Sequence, residues 1–302
     1  MTSSTRWFLV IFAILAVAAI LITVVFVLVL GGSDERTEVV TSGSGDKIAV
    51  VDIKGVITSS EEVIRQLKKY RGMSSVKAVL LRIDSPGGGV VASQEMYEEV
   101  RKTRDAGTPV VVSMGSLAAS GGYYVACGAS RIVANRGTLT GSIGVIAEFL
   151  QLQDLLGKIG VDVKTIKSGK LKDSGTQTRN MTEEEQKYFQ ALMDDVHRQF
   201  IGVVERERHL SGAATRALAD GRVYTGEQAV PLGLVDTLGT YEDAVSIAAA
   251  MAGISGEPAI VKERKRRSWF ESVAGDVTEE MRAIKEELLT QPVLSFRFTG
   301  SR

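Results

Sequence analysis

Cysteine occurs once in the 302 residues, at Cys127, and histidine only twice, at His197 and His209. A single thiol excludes an intrachain disulfide and every zinc site built on paired cysteines. Two histidines are too few for a His-based metal cluster, and both lie in or beyond one long amphipathic stretch. Charge of one sign is also missing: 36 Lys and Arg face 36 Asp and Glu, so nothing signals a general affinity for nucleic acid. No Rossmann fingerprint is present.

What is present begins with Trp7–Leu30, an apolar run without charge, Gly or Pro. As a helix it would extend roughly 36 Å, enough to cross a bilayer core of about 30 Å. A cleaved signal peptide has a shorter apolar core, about 7–15 residues, and a small-residue exit site that Val-Leu-Gly-Gly-Ser does not supply. The run therefore reads as an uncleaved transmembrane signal anchor. Arg6 on the short side, against Asp34, Glu35, Arg36 and Glu38 on the long side, keeps residues 1–6 cytoplasmic and exports the rest. Residues 31–46 are polar and Gly/Ser-rich, as a flexible linker is.

From Lys47 short Val- and Ile-rich runs alternate with amphipathic stretches. Ile48–Ile53, Val76–Ile83, Val110–Ser113 and Val161–Ile166 read as strands; Ser60–Tyr70 and Ser93–Arg104 read as helices. Such alternation predicts an α/β fold with parallel pairing. Thr182–Glu205 should be the longest soluble helix, opened by the capping box Thr182/Glu185 and striped by Tyr188, Leu192, Val196, Phe200 and Val203. Lesser helices are expected near Gly226–Pro231 and Tyr241–Ala250. Residues 257–302 read as a tail, helical or partly disordered. It carries the basic cluster Lys262–Arg267 and a narrow apolar face at Val277, Met281, Ile284 and Leu288.

Three Gly- and Ser-rich segments could carry chemistry. In the first, Ile83–Gly89 (IDSPGGG), glycines after a strand can present bare N–H groups to an oxygen that becomes negative during reaction. The second, Ser113–Tyr124 (SMGSLAASGGYY), sets Ser120 among small residues where a helix could begin. There it reads equally as a nucleophile beside the Gly121 N–H or as an N-cap. The third, Lys164–Ser174, holds four lysines. A lysine acts as general base only when burial lowers its pKa toward neutrality. Extended alternation puts Lys170 and Lys172 on one side, so pattern alone does not choose between them.

Together with Leu139–Val145 (LTGSIGV) and Lys167–Asp173 (KSGKLKD), these segments resemble signal peptide peptidase A, the protease IV family, over roughly residues 47–250. The resemblance is to the short form, with one protease domain, here residues 47–256. It implies the ββα spiral of the Clp protease and crotonase superfamily, preceded by an N-terminal transmembrane helix. It implies Ser120 as nucleophile, Lys172 as general base and Ser142 as the serine that orients the lysine. The N–H groups of Gly121 and Gly87 would form the oxyanion hole, with Gly88 the alternative to Gly87. It further implies acyl-enzyme catalysis without metal or cofactor, and a homo-oligomeric ring, an octamer favoured, with dyads completed between protomers. The implied substrates are hydrophobic peptides such as signal-peptide remnants, and the implied location is the bacterial cell membrane, single-pass, with an extracytoplasmic catalytic domain. In some members a C-terminal tail lies in the substrate groove. Competing readings are an acyl-CoA-type enzyme on the same spiral, with Glu95 near the Gly run, a silent scaffold, and the stomatin-associated serine–lysine proteases.

Overall fold

The computed structural model describes residues 7, 12, 15–17, 19, 20, 36–40, 45–265 and 295–298. It divides into two units, Met1–Val39 with Glu263–Ile284 and Val40–Lys262 with Lys285–Arg302. In the first, the described residues between Trp7 and Ile20 are helical, and β1 (Arg36–Val40) is a strand. Most of the expected anchor Trp7–Leu30 lies outside the described residues, as does the face from Val277 to Leu288. Among the described residues no helix is long and apolar enough to cross a membrane.

The second unit runs β2 (Lys47–Lys54), α1 (Glu61–Arg71), β3 (Val76–Ser85), β4 (Gly87–Gly89), α2 (Val90–Asp105), β5 (Val110–Ala119) and α3 (Gly121–Ala126). It continues through β6 (Arg131–Ala134), β7 (Leu139–Gly141), α4 (Gln153–Lys158), α5 (Glu183–Arg208), α6 (Gly212–Leu218), β8 (Val223–Thr225) and α7 (Gly226–Ala229). Then come β9 (Thr237–Leu238), α8 (Tyr241–Met251), β10 (Ala259–Lys265) and β11 (Ser295–Arg297). The sheet order is β10-β2-β3-β5-β6-β9, with parallel pairing throughout that path. Beyond the end of β6, β7 takes over alongside β5, and β8 returns antiparallel to β7.

Alternation along the strands splits the core into two layers. Ala49, Val51, Leu81, Ile83 and Val112 face Leu67 and Tyr70 of α1, Tyr97 and Val100 of α2, Tyr123 of α3, and Phe200 and Val204 of α5. Ile48, Val50, Leu80 and Val111 face Ala244, Val245, Ala248 and Ala249 of α8. Burial on both faces explains why these strands read as near-continuous apolar runs. Each fully buried Leu or Ile removes enough apolar surface from water to contribute about 1.5–3 kcal/mol.

Helix ends follow local chemistry. Glu61 and Glu62 open α1 while Lys68, Lys69 and Arg71 close it, each sign matching the helix dipole. The Thr182/Glu185 capping box opens α5 as expected, and His209 closes it at φ 54°. Only the second half of the expected stripe is core: Phe200 is fully buried, whereas Tyr188 and Leu192 are about two-fifths exposed, at 43% and 38%.

Two expectations are corrected. Val161–Ile166 forms no strand; among the described residues no strand pairs with it, and Ile166 is 92% exposed. Secondly, the segment expected to be tail contributes strands beyond residue 256: Ala259–Lys262 of β10 pairs with Lys47–Val50 in the main sheet, and β11 pairs with β4 in a separate two-stranded sheet.

Candidate active site

Parallel neighbours deliver their C-terminal turns to one edge of a sheet, where ligands bind in open α/β folds. Here β3 leads into Pro86–Gly89 and β5 leads into Ser120. Ser120 occupies the N-cap position of α3, but its side chain makes no capping bond. The N-cap reading therefore lacks the hydrogen bond that would explain the residue. Its backbone is strained instead, at φ 52° and ψ −115°, with the N–H donating to Gly141 O at 2.8 Å and the carbonyl accepting from Tyr124 N–H at 2.8 Å. A non-Gly residue in such a conformation costs on the order of 1–3 kcal/mol and persists only where its surroundings hold it.

Ser142 is the structural counterpart. The β5–β7 register aligns Ala119 with Gly141, so Ser120 and Ser142 sit side by side just beyond the paired strands. Ser142 also has positive φ, 50°, and its N–H donates to Arg222 O at 2.8 Å. Both serines are buried.

The glycines sort themselves by what already holds them. Gly87, the expected oxyanion donor, gives its N–H to Ser85 Oγ at 3.0 Å, and that hydroxyl donates to Gly55 O at 2.6 Å. Its N–H is therefore engaged within the chain. On either side of Gly88, Gly87 O accepts from Ile57 N–H and Gly89 N–H donates to Ile57 O, both at 2.8 Å. Gly121 has no room for a side chain: a Cβ there would stand 2.5 Å from Ser93 Oγ and 3.1 Å from both Gly88 N and Phe296 O.

Phe296 belongs to β11, which lies antiparallel against the Gly run with Phe296 opposite Gly88. On its other side, Ser295 and Ile146 exchange hydrogen bonds of 3.2 and 3.0 Å, while along the Gly-run side Phe298 N–H donates to Pro86 O at 2.8 Å. The chain's own tail is thus clamped across the cleft as an added strand. Its Phe296 carbonyl points at the glycines, since a Cβ on Gly87 would lie 2.0 Å from that oxygen and 2.5 Å from Gly121 N. Neither β11 nor the roles of Ser85 and Ser93 was read from the sequence. The one available signal was the Ser-Phe-Arg-Phe alternation of residues 295–298.

Lys172 stands apart. It is exposed, on the turn 169–175, and no side-chain hydrogen bond or ion pair joins it to Ser120 or Ser142. The turn itself is anchored. Arg179 donates to Asp173 Oδ2 at 3.1 Å and to Glu185 Oε2 at 2.9 Å, Ser174 Oγ donates to Glu185 Oε1 at 3.1 Å, and Lys167 pairs with Asp173. Arg179, aided by Lys167, pulls the Asp173 carboxyl down to about 2. The same guanidinium and the Thr182 N–H hold Glu185 well below the usual carboxylate range. Lys170, the alternative base, pairs with Glu184.

Other candidate groups are otherwise engaged. Burial pushes the Cys127 thiol up to about 12, so it is not a thiolate at neutral pH. Neither histidine hydrogen-bonds Ser120: His209 caps α5, and His197 Nε2 is buried without a partner among the described residues. Glu95 accepts from the Ser60 hydroxyl. Among the described residues no cluster of three or more metal-ligating side chains occurs.

Comparison with known proteins gives the family. The profile of Peptidase family S49 matches residues 102–255, and that of Clp protease matches residues 47–146. The chain is 46% identical to a "Putative protease slr0021" of Synechocystis over 69% of its own length and 75% of that protein. It is 39% identical to a "Putative signal peptide peptidase SppA" of Enterococcus faecium, over 71% of its length and 67% of that protein. A solved ClpP1 mutant from Listeria monocytogenes aligns with 65% of this chain and 93% of its own at 16% identity and a TM-score of 0.45. The α/β fold is Clp-protease-like. The chain belongs to peptidase family S49, as a serine protease of the signal peptide peptidase A type.

Proposed function

We propose that this protein is a membrane-anchored endopeptidase in which Ser120 is the nucleophile and Lys172 of a neighbouring protomer is the general base. The observation that carries the reading is the Phe296 carbonyl, lodged against Gly87 and Gly121 beside the strained Ser120 turn. A peptide held there presents its carbonyl carbon to the Ser120 hydroxyl. The N–H groups of Gly88 and Gly121 receive the oxygen as it becomes negative. Neutral Lys172 takes the Ser120 proton as Oγ attacks, and returns it to the leaving amine as the acyl-enzyme forms. Water then attacks the ester, giving one proton to the lysine, and Ser120 leaves with that proton. Ser142, side by side with Ser120, orients the lysine amine.

A lysine base needs cover from water, and Lys172 is exposed in one chain. Leu155, Ile159, Val163 and Ile166, in the stretch of chain that precedes it, are exposed as well. Both facts favour assembly of the working site between copies in a ring, eight protomers being the favoured number. Trp7–Leu30 is apolar enough to anchor the ring in the bacterial membrane with the catalytic unit outside, next to hydrophobic substrates such as signal-peptide remnants. The resting groove is filled by the tail, which substrate must displace.

The test is hydrolysis of a fluorogenic hydrophobic peptide by the detergent-solubilised chain. Ser120→Ala and Lys172→Ala should each abolish it, while Lys170→Ala stays within about twofold, since its amine pairs with Glu184 at the surface. Mixing the two inactive variants should restore part of the rate, because some sites then receive an intact serine from one copy and an intact lysine from another. Full activity in Ser120→Ala would sink the assignment of the nucleophile; no recovery on mixing would sink the shared site.

A further inference from the structure

We infer that Asp84 of β3 and Thr138, just before β7, are positioning residues for the nucleophile: together they pin a bulge in β5 that sets how far along the cleft Ser120 stands. The inference rests on the proposed protease reading and deepens it by naming what places its serine.

The β3–β5 register is regular from Val79 opposite Val110 to Ile83 opposite Met114, and then it breaks. Ser85 lies opposite Ala118, so two steps along β3 are matched by four along β5. Gly115, Ser116 and Leu117 thus stand against Asp84 alone, a bulge of two extra residues. A regular ladder would put Ser116 opposite Ser85 and carry Ser120 two residues, roughly 7 Å, farther along the strand direction. The bulge draws Ser120 back to the level of the glycines that follow Ser85. Re-aiming a side chain is what bulges beside active sites do.

The same three residues are where β5 changes partner. Val111–Ser113 pair with β6, and Leu117–Ala119 pair with β7. Backbone groups that leave a ladder need other partners, and here two side chains supply them. Leu117 N–H donates to Asp84 Oδ1 at 3.1 Å. On the far side, the buried Thr138 hydroxyl donates to Gly115 O at 2.8 Å and accepts from Asn135 N–H at 3.1 Å. Gly115 is what admits the carboxylate: a Cβ there would stand 2.7 Å from Asp84 Cγ and 2.9 Å from Oδ1. Past the bulge, Thr140 Oγ1 donates to Ala118 O at 2.8 Å, and the β5–β7 pairing runs on to Ala119 opposite Gly141. The strand is therefore held from both neighbours up to the residue before Ser120.

Asp84 is exposed, so replacing it should leave the fold intact. Its effect should appear in the chemistry, where a misplacement of about 1 Å costs on the order of 100-fold.

The experiment is steady-state hydrolysis of a fluorogenic hydrophobic peptide by the full chain in detergent. Asp84→Ala removes the acceptor and should lower kcat about tenfold with KM within about twofold, since the nucleophile shifts while the strand-pairing groove does not. Asp84→Asn keeps an oxygen acceptor and should return kcat to within about threefold of the parent. Thr138→Val and Thr138→Ser should behave as the corresponding pair. Gly115→Ala drives the carboxylate off Leu117 without removing it and should repeat the loss; it decides the matter should Asp84→Ala fail to fold. Amide hydrogen exchange at Leu117, read on the same proteins, should quicken about tenfold in Asp84→Ala and stay near the parent in Asp84→Asn. Parent-like kcat in both Asp84→Ala and Gly115→Ala, a loss carried by KM alone, or an Asn variant no better than Ala would each overturn the inference. If the parent hydrolyses no peptide, the protease reading fails, and exchange at Leu117 then judges the pin: quickened in Asp84→Ala it stands, unchanged it falls too.

Discussion

The turns around Ser120 and the segment around Lys172 are built on opposite plans. Ser120, Ser142 and Gly88 are buried; short backbone hydrogen bonds tie Ser120 to Gly141 and Ser142 to Arg222, and those of Gly87 and Gly89 to Ile57 hold Gly88 between them. Lys172 rides an exposed turn, which ion pairs through Arg179 and the Ser174 hydroxyl tie to Glu185 at the start of α5. Strain at positive φ can be stored in the first region because the sheet over-determines it. The second region is shaped at its base and free at its tip, as expected of an element that completes another molecule. One half of the proposed chemistry is finished within the chain; the other is presented outward.

The largest effect expected on this contrast comes from Gly121→Ala. A methyl there meets Ser93 Oγ at 2.5 Å and intrudes on the bound carbonyl, so kcat/KM should fall about 100-fold or more. Steady-state peptide hydrolysis, with circular dichroism to confirm folding, checks it. Next is Arg179→Leu, which frees the Asp173 turn from α5. The Lys172 position then blurs, and kcat should fall about tenfold with the fold retained. Arg179→Lys should recover little, because a single ammonium does not reproduce a guanidinium bridging two carboxylates. An unchanged rate in Arg179→Leu would mean that the turn needs no internal anchor.

Removing the chain from residue 286 onward should raise the initial rate several-fold, since the tail competes for the groove at high effective concentration. Progress curves that show no gain would mean that β11 leaves the cleft without cost. The smallest effect is one of pH. The Asp173 carboxyl is depressed from 3.8 to about 2. Its ion pairs are therefore fully present above the ordinary value and are lost only as pH falls through about 2. Between pH 7 and 4 the turn should keep its structure. Amide exchange of residues 169–175 should therefore stay unchanged over that range once corrected for intrinsic rates, and a gain in exchange would mean that the Asp173 ion pairs do not hold the turn.

Much of the fold was legible in the residues. Val- and Ile-rich runs became β2, β3 and β5 because both faces of a parallel sheet are covered, so apolar content alone identifies them. Thr182 and Glu185 announced the start of α5 because a capping box is local chemistry that needs no distant partner. Ser120 was readable as a strand-to-helix serine for the same reason. Val161–Ile166 misled because β-branched content creates no strand without a neighbour to pair with. Gly87 and Gly88 are indistinguishable in a run of three glycines. Only the Ser85 hydroxyl, which takes the Gly87 N–H, separates them.

Composition and local pattern thus determined the α/β class, the apolar run at the start, the strand-turn serines and the lysine-rich segment. Each depends on forces acting within a few residues. Tertiary structure alone decided that β10 joins the sheet, that Ser142 stands beside Ser120, and that Phe296 enters a slot between Tyr124 and Phe200. Those outcomes depend on partners more than 20 residues away in the chain, whose pairing is set by sheet register and buried volume rather than by any local preference.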